Sequence, residues 1–286
     1  MHAEDLFKKV KSSLLDIYPE AEARQLAWML LEDKYAIDKM AIIKQTPVGH
    51  LDLSSLDVYI KALQQYTPIQ HIVEKVAFCG LDLKVDARAL IPRPETEEMV
   101  LGIINELEGF GSGKFNFLDI GTGSGCMAVT IAKKFPNAVV YALDISHEAL
   151  SLAKENAEKH QVDINWLQID ILNPIDENLL PKVHFLASNP PYITQSESHQ
   201  MRENVLNWEP HKALFVEDKQ PLLFYQAILA HKNQLLYPKA KVFFEINERF
   251  GNDMLVLLKR NQFNEVLIEK DFRGKDRVAI ASYHPR

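Results

Sequence analysis

From Phe115 onward the chain alternates short β-rich runs with helical segments, and this alternation admits few architectures. The β-rich runs are Phe115–Ile120, Ala138–Asp144, Ile164–Asp170, Val183–Asn189, Lys241–Ile246, Glu265–Asp271 and Arg277–His284. Helical patterns open at Ser124, Ser146, Gln220 and about Gly251. Strands that alternate with helices form a mainly parallel sheet covered on both faces, so the spacing predicts an α/β fold with a seven-stranded sheet. The short Arg273-Gly274-Lys275-Asp276 segment lies between the last two runs, leaving too few residues for a crossover helix, so these pair antiparallel at a sheet edge.

The first 70 residues follow another rule. Apolar residues recur at helical spacing at Leu6, Val10, Leu14 and Ile17, again at Ala23, Leu26, Ala27, Leu30 and Leu31, and again at Leu53, Leu56, Ile60 and Leu63. Pro19 opens one segment, Asp38 caps a short one, and Thr46-Pro47-Val48-Gly49 turns the chain before the last. Residues 1–70 are therefore expected to form a helical domain, 71–92 a β-hairpin linker broken at Gly80, and 93–286 the α/β domain. No internal repeat is visible. The 286 residues carry 32 Lys and Arg against 39 Asp and Glu, a net charge of −7, which is not the footprint of a general nucleic-acid binder. Two cysteines, Cys79 and Cys126, cannot make a disulfide framework. None of the ten histidines has metal-ligand spacing, so no metal is expected. With no apolar run long enough to span a bilayer and no leader pattern at Met1-His2-Ala3-Glu4, the expected location is cytoplasmic, without membrane contact.

Chemistry concentrates in two loops. Phe117-Leu118-Asp119-Ile120-Gly121-Thr122-Gly123-Ser124-Gly125 runs from a strand through a glycine turn into a helix, and Cys126 stands where the dinucleotide fingerprint needs its third glycine, which argues against NAD. Asp144 ends the next strand, where a carboxylate can take both hydroxyls of a ribose, and Asp170-Ile171 ends the one after. Ligands of an open α/β sheet sit beyond the carboxyl ends of its strands, so the three features face one crevice. A packing turn and two helix caps would be the structural alternative.

The second loop, Asn189-Pro190-Pro191-Tyr192, ends the fourth strand. Two prolines stop the strand and remove two N–H donors, leaving an acceptor-rich turn. The Asn189 side-chain oxygen and the Pro190 carbonyl can take the two hydrogens of a planar –NH₂ group, and Tyr192 can lie on its face. Methyl transfer to an amide or exocyclic amine suits such an arrangement. A rigid Pro-Pro turn without chemistry is the alternative.

The glycine loop and its two acids resemble the S-adenosylmethionine-dependent methyltransferases. That resemblance implies a Rossmann-like domain, contacts from Gly121, Thr122, Gly123, Ser124 and Gly125 to the methionine moiety, from Asp144 to the ribose, and from Asp170 and Ile171 to the adenine. Asn189 is counted with them. The wider pattern is Thr67-Pro68-Ile69-Gln70, Phe78-Cys79-Gly80-Leu81, Leu90-Ile91-Pro92-Arg93-Pro94-Glu95-Thr96-Glu97, Ser188–Tyr192, Trp208-Glu209-Pro210-His211-Lys212-Ala213-Leu214, Phe244-Glu245-Ile246 and Gly274-Lys275-Asp276-Arg277-Val278. It is similar to the peptide chain release factor glutamine methyltransferases, the PrmC/HemK family. Four positions depart from that family's pattern: His71, Glu74, Trp208 and Asn247. The resemblance implies methylation of the glutamine in the Gly-Gly-Gln motif of class I release factors, with S-adenosylhomocysteine as product, substrate binding by the helical domain, and no direct nucleic-acid partner. Asn189, Pro190, Pro191 and Tyr192 would hold the glutamine, with Asn189, Pro190 and Tyr192 the catalytic set. The rival reading is a nucleic-acid methyltransferase acting on the exocyclic amine of a flipped adenine or guanine. Arg93, Glu95 and Glu97 fit either a capped helix start or a ligand contact. Glu245 can face the crevice or cap the next segment.

Overall fold

A computed structural model describes residues 1–111 and 113–285. It divides into two compact units, Met1–Lys75 with Arg202–Trp208, and Val76–Met201 with Glu209–Arg286.

In the first unit, helix α1 (Ala3–Leu14) buries Ala3, Leu6, Val10 and Leu14, the stripe expected from its spacing. Helix α2 (Glu20–Tyr35) begins after Pro19 and buries Ala23, Ala27, Leu30 and Leu31. The Asp38 carboxylate accepts the Ala41 N–H at 2.6 Å and starts α3 (Lys39–Ile43). Helices α4 (Leu56–Gln64) and α5 (Ile69–Val73) complete the bundle. Nothing local in the sequence marks Arg202–Trp208 as part of this unit, because the segment lies more than a hundred residues away. It is held by the Arg202–Glu22 ion pair at 3.1 Å and by the Trp208 indole N–H, which donates to the Gln65 carbonyl at 3.2 Å.

Strands β1 (Lys75–Phe78) and β2 (Leu81–Lys84) form a hairpin, turned at Cys79-Gly80, both with positive φ. Strand β2 stops at Lys84 because Asp86 bends the chain, its carboxylate accepting the Arg88 N–H at 3.0 Å. Helix α6 (Pro94–Phe110) follows with Pro94 in its first turn, and then the α/β core: β3 (Phe115–Ile120), α7 (Cys126–Lys134), β4 (Ala138–Asp144), α8 (His147–His160), β5 (Asn165–Gln168) and β6 (Val183–Ser188). Strand β5 is shorter than expected. Asp170 turns the chain locally, accepting the Leu172 N–H at 3.0 Å and the Asn173 amide at 2.8 Å. Next come a short strand β7 (Ile193–Thr194), helix α9 (Glu203–Leu206) in the first unit, and β8 (Phe215–Val216), which pairs with β7. Helices α10 (Leu223–Ala230) and α11 (Lys232–Leu235), strand β9 (Leu236–Glu245), helix α12 (Gly251–Arg260), and strands β10 (Phe263–Lys270) and β11 (Asp276–Tyr283) end the chain.

Among the described residues the main sheet has seven strands in the order β10-β11-β9-β6-β3-β4-β5. The β10/β11 and β11/β9 pairs are antiparallel, as expected for the last two runs, and the others parallel. Alternate residues of each strand enter opposite cores, Phe117, Phe185 and Phe243 one, Leu118, Leu186 and Phe244 the other. The chain leaves β3 toward β4 on one side, while β6 flanks β3 on the other. The gap beyond their carboxyl ends is a topological switch point, where open α/β sheets bind ligands. Register puts Ile120 beside both Leu143 and Ser188, so the loops after β3, β4 and β6 start at the same height.

Candidate active site

A cavity of about 640 Å³ opens at that switch point. Its lining includes Gly121, Thr122, Gly123 and Ser124, then Asp144, Asp170 and Ile171, then Asn189, Pro190 and Pro191. Four strand-end loops that lie apart in sequence thus share one space. Gly125 and Tyr192 are not among the lining residues. Gly125 is a packing glycine: its φ is +80°, and a Cβ there would stand 2.9 Å from the Ala153 Cβ of α8. The Tyr192 ring packs against the apolar core and its hydroxyl donates to Glu245 Oε1 at 2.8 Å, so it supports the Asn-Pro-Pro turn from beneath.

The glycine loop is held by its neighbours. The Gly121 and Thr122 N–H groups donate to the Leu143 carbonyl at 2.8 and 3.0 Å, and the Gly123 N–H to Asp144 Oδ2 at 2.9 Å. The other Asp144 oxygen accepts the Ser146 N–H at 2.9 Å. Burial raises the Asp144 carboxyl above its ordinary value, against the backbone N–H groups that lower it. Below the loop Asp119 is fully buried. Its Oδ2 accepts the Thr122 hydroxyl at 2.7 Å and the Ala128 N–H at 3.2 Å, while Oδ1 has no hydrogen-bond partner among the described residues. Burial pushes Asp119 up to about 7. An orphaned buried acceptor beneath a loop whose Gly121 and Gly123 have no side chain suits a ligand's cationic donor.

At the end of β6, the Asn189 side-chain nitrogen donates to Thr96 Oγ1 at 3.0 Å, and the Thr96 hydroxyl to Glu245 Oε2 at 2.6 Å. Thr96 and Glu245 are both buried, and burial raises the Glu245 carboxyl. Arg93 and the buried Glu209 form an ion pair at 2.5 Å, Glu209 also accepting the Ile91 N–H at 3.2 Å, and this pair fastens the cavity wall at Pro210 and His211.

Residues 104–213 match the methyltransferase small domain family. Along nearly its full length the chain is similar to three release factor glutamine methyltransferases. That of Bacteroides thetaiotaomicron is 38% identical over 275 residues, 96% of this chain and 97% of the relative. That of Flavobacterium psychrophilum is 37% identical, covering 95% of each, and that of Bacillus subtilis 33% identical, covering 98% and 97%. The chain belongs to the release factor glutamine methyltransferases. It is accordingly an S-adenosylmethionine-dependent methyltransferase. Two solved structures share the fold. A Pyrococcus furiosus methyltransferase aligns with a TM-score of 0.51 at 19% identity, over 80% of this chain and 99% of that one. The Thermus thermophilus 16S rRNA N2 G1207 methyltransferase, in complex with AdoMet and guanosine, aligns with a TM-score of 0.53 at 15% identity, over 73% and 50%.

For this release factor glutamine methyltransferase, three of the four charged residues that the sequence leaves open, Arg93, Glu97 and Glu245, have places in the structure. Glu97 serves the hairpin, accepting the Cys79 N–H at 2.6 Å, and Arg93 serves the wall. Glu245 lies beneath the site and neither lines the cavity nor caps the next segment. Sequence patterns assign no separate role to Thr96 or to Asp119. Asp119 carries a signal, an acid between the apolar Leu118 and Ile120 at the end of β3. No described group of His, Cys, Asp and Glu could hold a metal ion, and no described helix is long and apolar enough to cross a membrane.

Proposed function

We propose that the chain transfers a methyl group from S-adenosylmethionine to the side-chain amide nitrogen of the glutamine in the Gly-Gly-Gln motif of class I release factors, in the cytoplasm and without a direct nucleic-acid partner. The observation that carries this reading is the convergence of Asn189-Pro190-Pro191 with the glycine loop and Asp144 on one cavity at the switch point. Gly121–Ser124 and the orphaned Asp119 oxygen suit the amino-acid end of the cofactor, Asp144 its ribose, and Asp170 and Ile171 its adenine. When bound, the cofactor supplies a methyl group on a positively charged sulfur.

An amide nitrogen is a weak nucleophile, because its lone pair is delocalised with a rotation barrier of about 18–20 kcal/mol. Asn189 Oδ1 and the Pro190 carbonyl would accept its two hydrogens. Two acceptors that become better aligned as the nitrogen turns tetrahedral would favour the transition state over the bound amide. No base needs to act before attack, since the proton becomes acidic only as the N–CH₃ bond forms. Tyr192 and Glu245 keep the turn rigid. The first unit, which has no part of the cofactor loop, would orient the release factor.

The test is incubation of the purified protein with full-length release factors and labelled S-adenosylmethionine, followed by mass spectrometry of the product. A methyl group on the Gly-Gly-Gln glutamine is the expected result. Label on another residue, or transfer to RNA or DNA but not to release factor, would overturn the proposal.

A further inference from the structure

We infer that Thr96 and Glu245 are positioning residues that fix which end of the Asn189 side-chain amide faces the target nitrogen. The inference rests on the role of Asn189 proposed above and adds what makes that role available.

An asparagine amide has an acceptor end and a donor end of nearly equal shape, and only the acceptor end can take an N–H of the substrate. Left alone, the group rotates between the two. Here the choice is made by proton counting through three side chains. Glu245, 1% exposed, ends β9 with a carboxylate that accepts. Thr96 has a single hydroxyl proton and donates it to Glu245 Oε2 at 2.6 Å. What Thr96 then offers Asn189 is a lone pair, and the donor that meets it at 3.0 Å is Asn189 Nδ2. Rotating the amide by half a turn would set Oδ1 against the Thr96 oxygen in a buried place, with no proton between them. The acceptor end therefore points away from Thr96. The other oxygen of the same carboxylate takes the Tyr192 hydroxyl at 2.8 Å, so Glu245 holds Asn189 indirectly and Tyr192 directly, at both ends of one four-residue turn.

The backbone that carries the carboxylate is itself held. The Tyr225 hydroxyl donates to the Glu245 main-chain carbonyl at 2.7 Å, and the Arg277 guanidinium to the Ile246 main-chain carbonyl at 3.2 Å. Neither Glu245 nor Tyr192 lines the cavity, so the carboxylate works through Thr96.

The experiment is single-turnover methylation of full-length release factor at saturating cofactor by the wild type, Thr96→Ser, Thr96→Val, Asn189→Ala and the Thr96→Val/Asn189→Ala double variant, with S-adenosylhomocysteine affinity and KM for release factor measured in parallel. Thr96→Val should lower kcat about 10- to 100-fold, the scale of a misoriented reacting group, with KM and cofactor affinity within about threefold of wild type. Thr96→Ser, which keeps the hydroxyl, should stay within about threefold in kcat. Because Thr96 acts through Asn189, adding Thr96→Val to Asn189→Ala should cost less than about twofold more. Losses that multiply in the double variant, a Thr96→Val enzyme with wild-type kcat, or a Thr96→Ser enzyme as slow as Thr96→Val would overturn the inference. If Thr96→Val does not fold, Thr96→Ala takes its place in the same cycle with the same criteria. A wild type that leaves the release factor glutamine unmethylated would overturn the function proposed above, a result visible before any variant is compared.

Discussion

Asn189 lines the cavity and Asp119 is buried beneath the glycine loop, so their substitution should affect different measurements. Asn189→Ala removes one of two acceptors and is expected to lower the single-turnover rate about 10² to 10³-fold, the usual cost of losing one transition-state hydrogen bond. Affinity for S-adenosylhomocysteine should fall by less than about threefold. A rate within threefold of wild type would count against the assignment. Asp119 is expected to show itself in stability. Its carboxyl titrates near about 7 when folded, against about 4 when unfolded. Between those values the folded chain holds the proton that the unfolded chain has lost, so the contribution of Asp119 to stability falls as pH rises from about 4 to about 7 and then levels off. Urea unfolding of wild type and Asp119→Asn at pH 4.5 and 7.5 should show the variant gaining relative to wild type at the higher pH. An unchanged difference would refute the assignment. At this scale the readable residues were contiguous ones. Gly121–Gly125 and Asn189–Tyr192 stand out because each motif is written in one place, whereas Thr96 and Glu245 are 149 positions apart and acquire meaning only when α6 and β9 bring them to 2.6 Å.

Strand β3 and helix α7 are joined by the glycine turn, and the turn shows how one element constrains another. A methyl group at Gly125 would meet Ala153 on α8 while forcing a left-handed backbone, so Gly125→Ala should destabilise by roughly 2–4 kcal/mol in urea unfolding. Adding Ala153→Gly should recover the steric part and leave the backbone part. If the double variant is no more stable than the sum of the single ones, α8 is not what excludes a side chain there. Strand identity and the antiparallel last pair were legible in the sequence because apolar runs of the right length recur between helical patterns and only a short turn separates the final two. Strand ends were less so. At Asp86 and Asp170 a short carboxylate captures a backbone N–H two residues on, at 3.0 Å in each case, and that local bond ends a run whose composition would otherwise continue it.

Across the whole molecule the chain passes between the two units at Lys75–Val76, Met201–Arg202 and Trp208–Glu209. Helical periodicity marked residues 1–70 as a unit but could not reveal the seven residues donated from beyond β7, since nothing local distinguishes them from an ordinary loop. A fragment of residues 1–75 should therefore melt at a lower temperature than the same fragment with Arg202–Trp208 appended through a glycine-serine linker, and Trp208→Ala in the appended piece should remove most of the gain. Equal melting temperatures would mean that the segment rests on the bundle without supporting it. The same connectivity limits how such a protein can be rebuilt. No continuous stretch of coding sequence specifies the helical unit, so a gene fusion with one junction would deliver helices whose Gln65 carbonyl has lost the indole it was shaped to meet. Exchanging this unit between relatives requires two separate replacements made together.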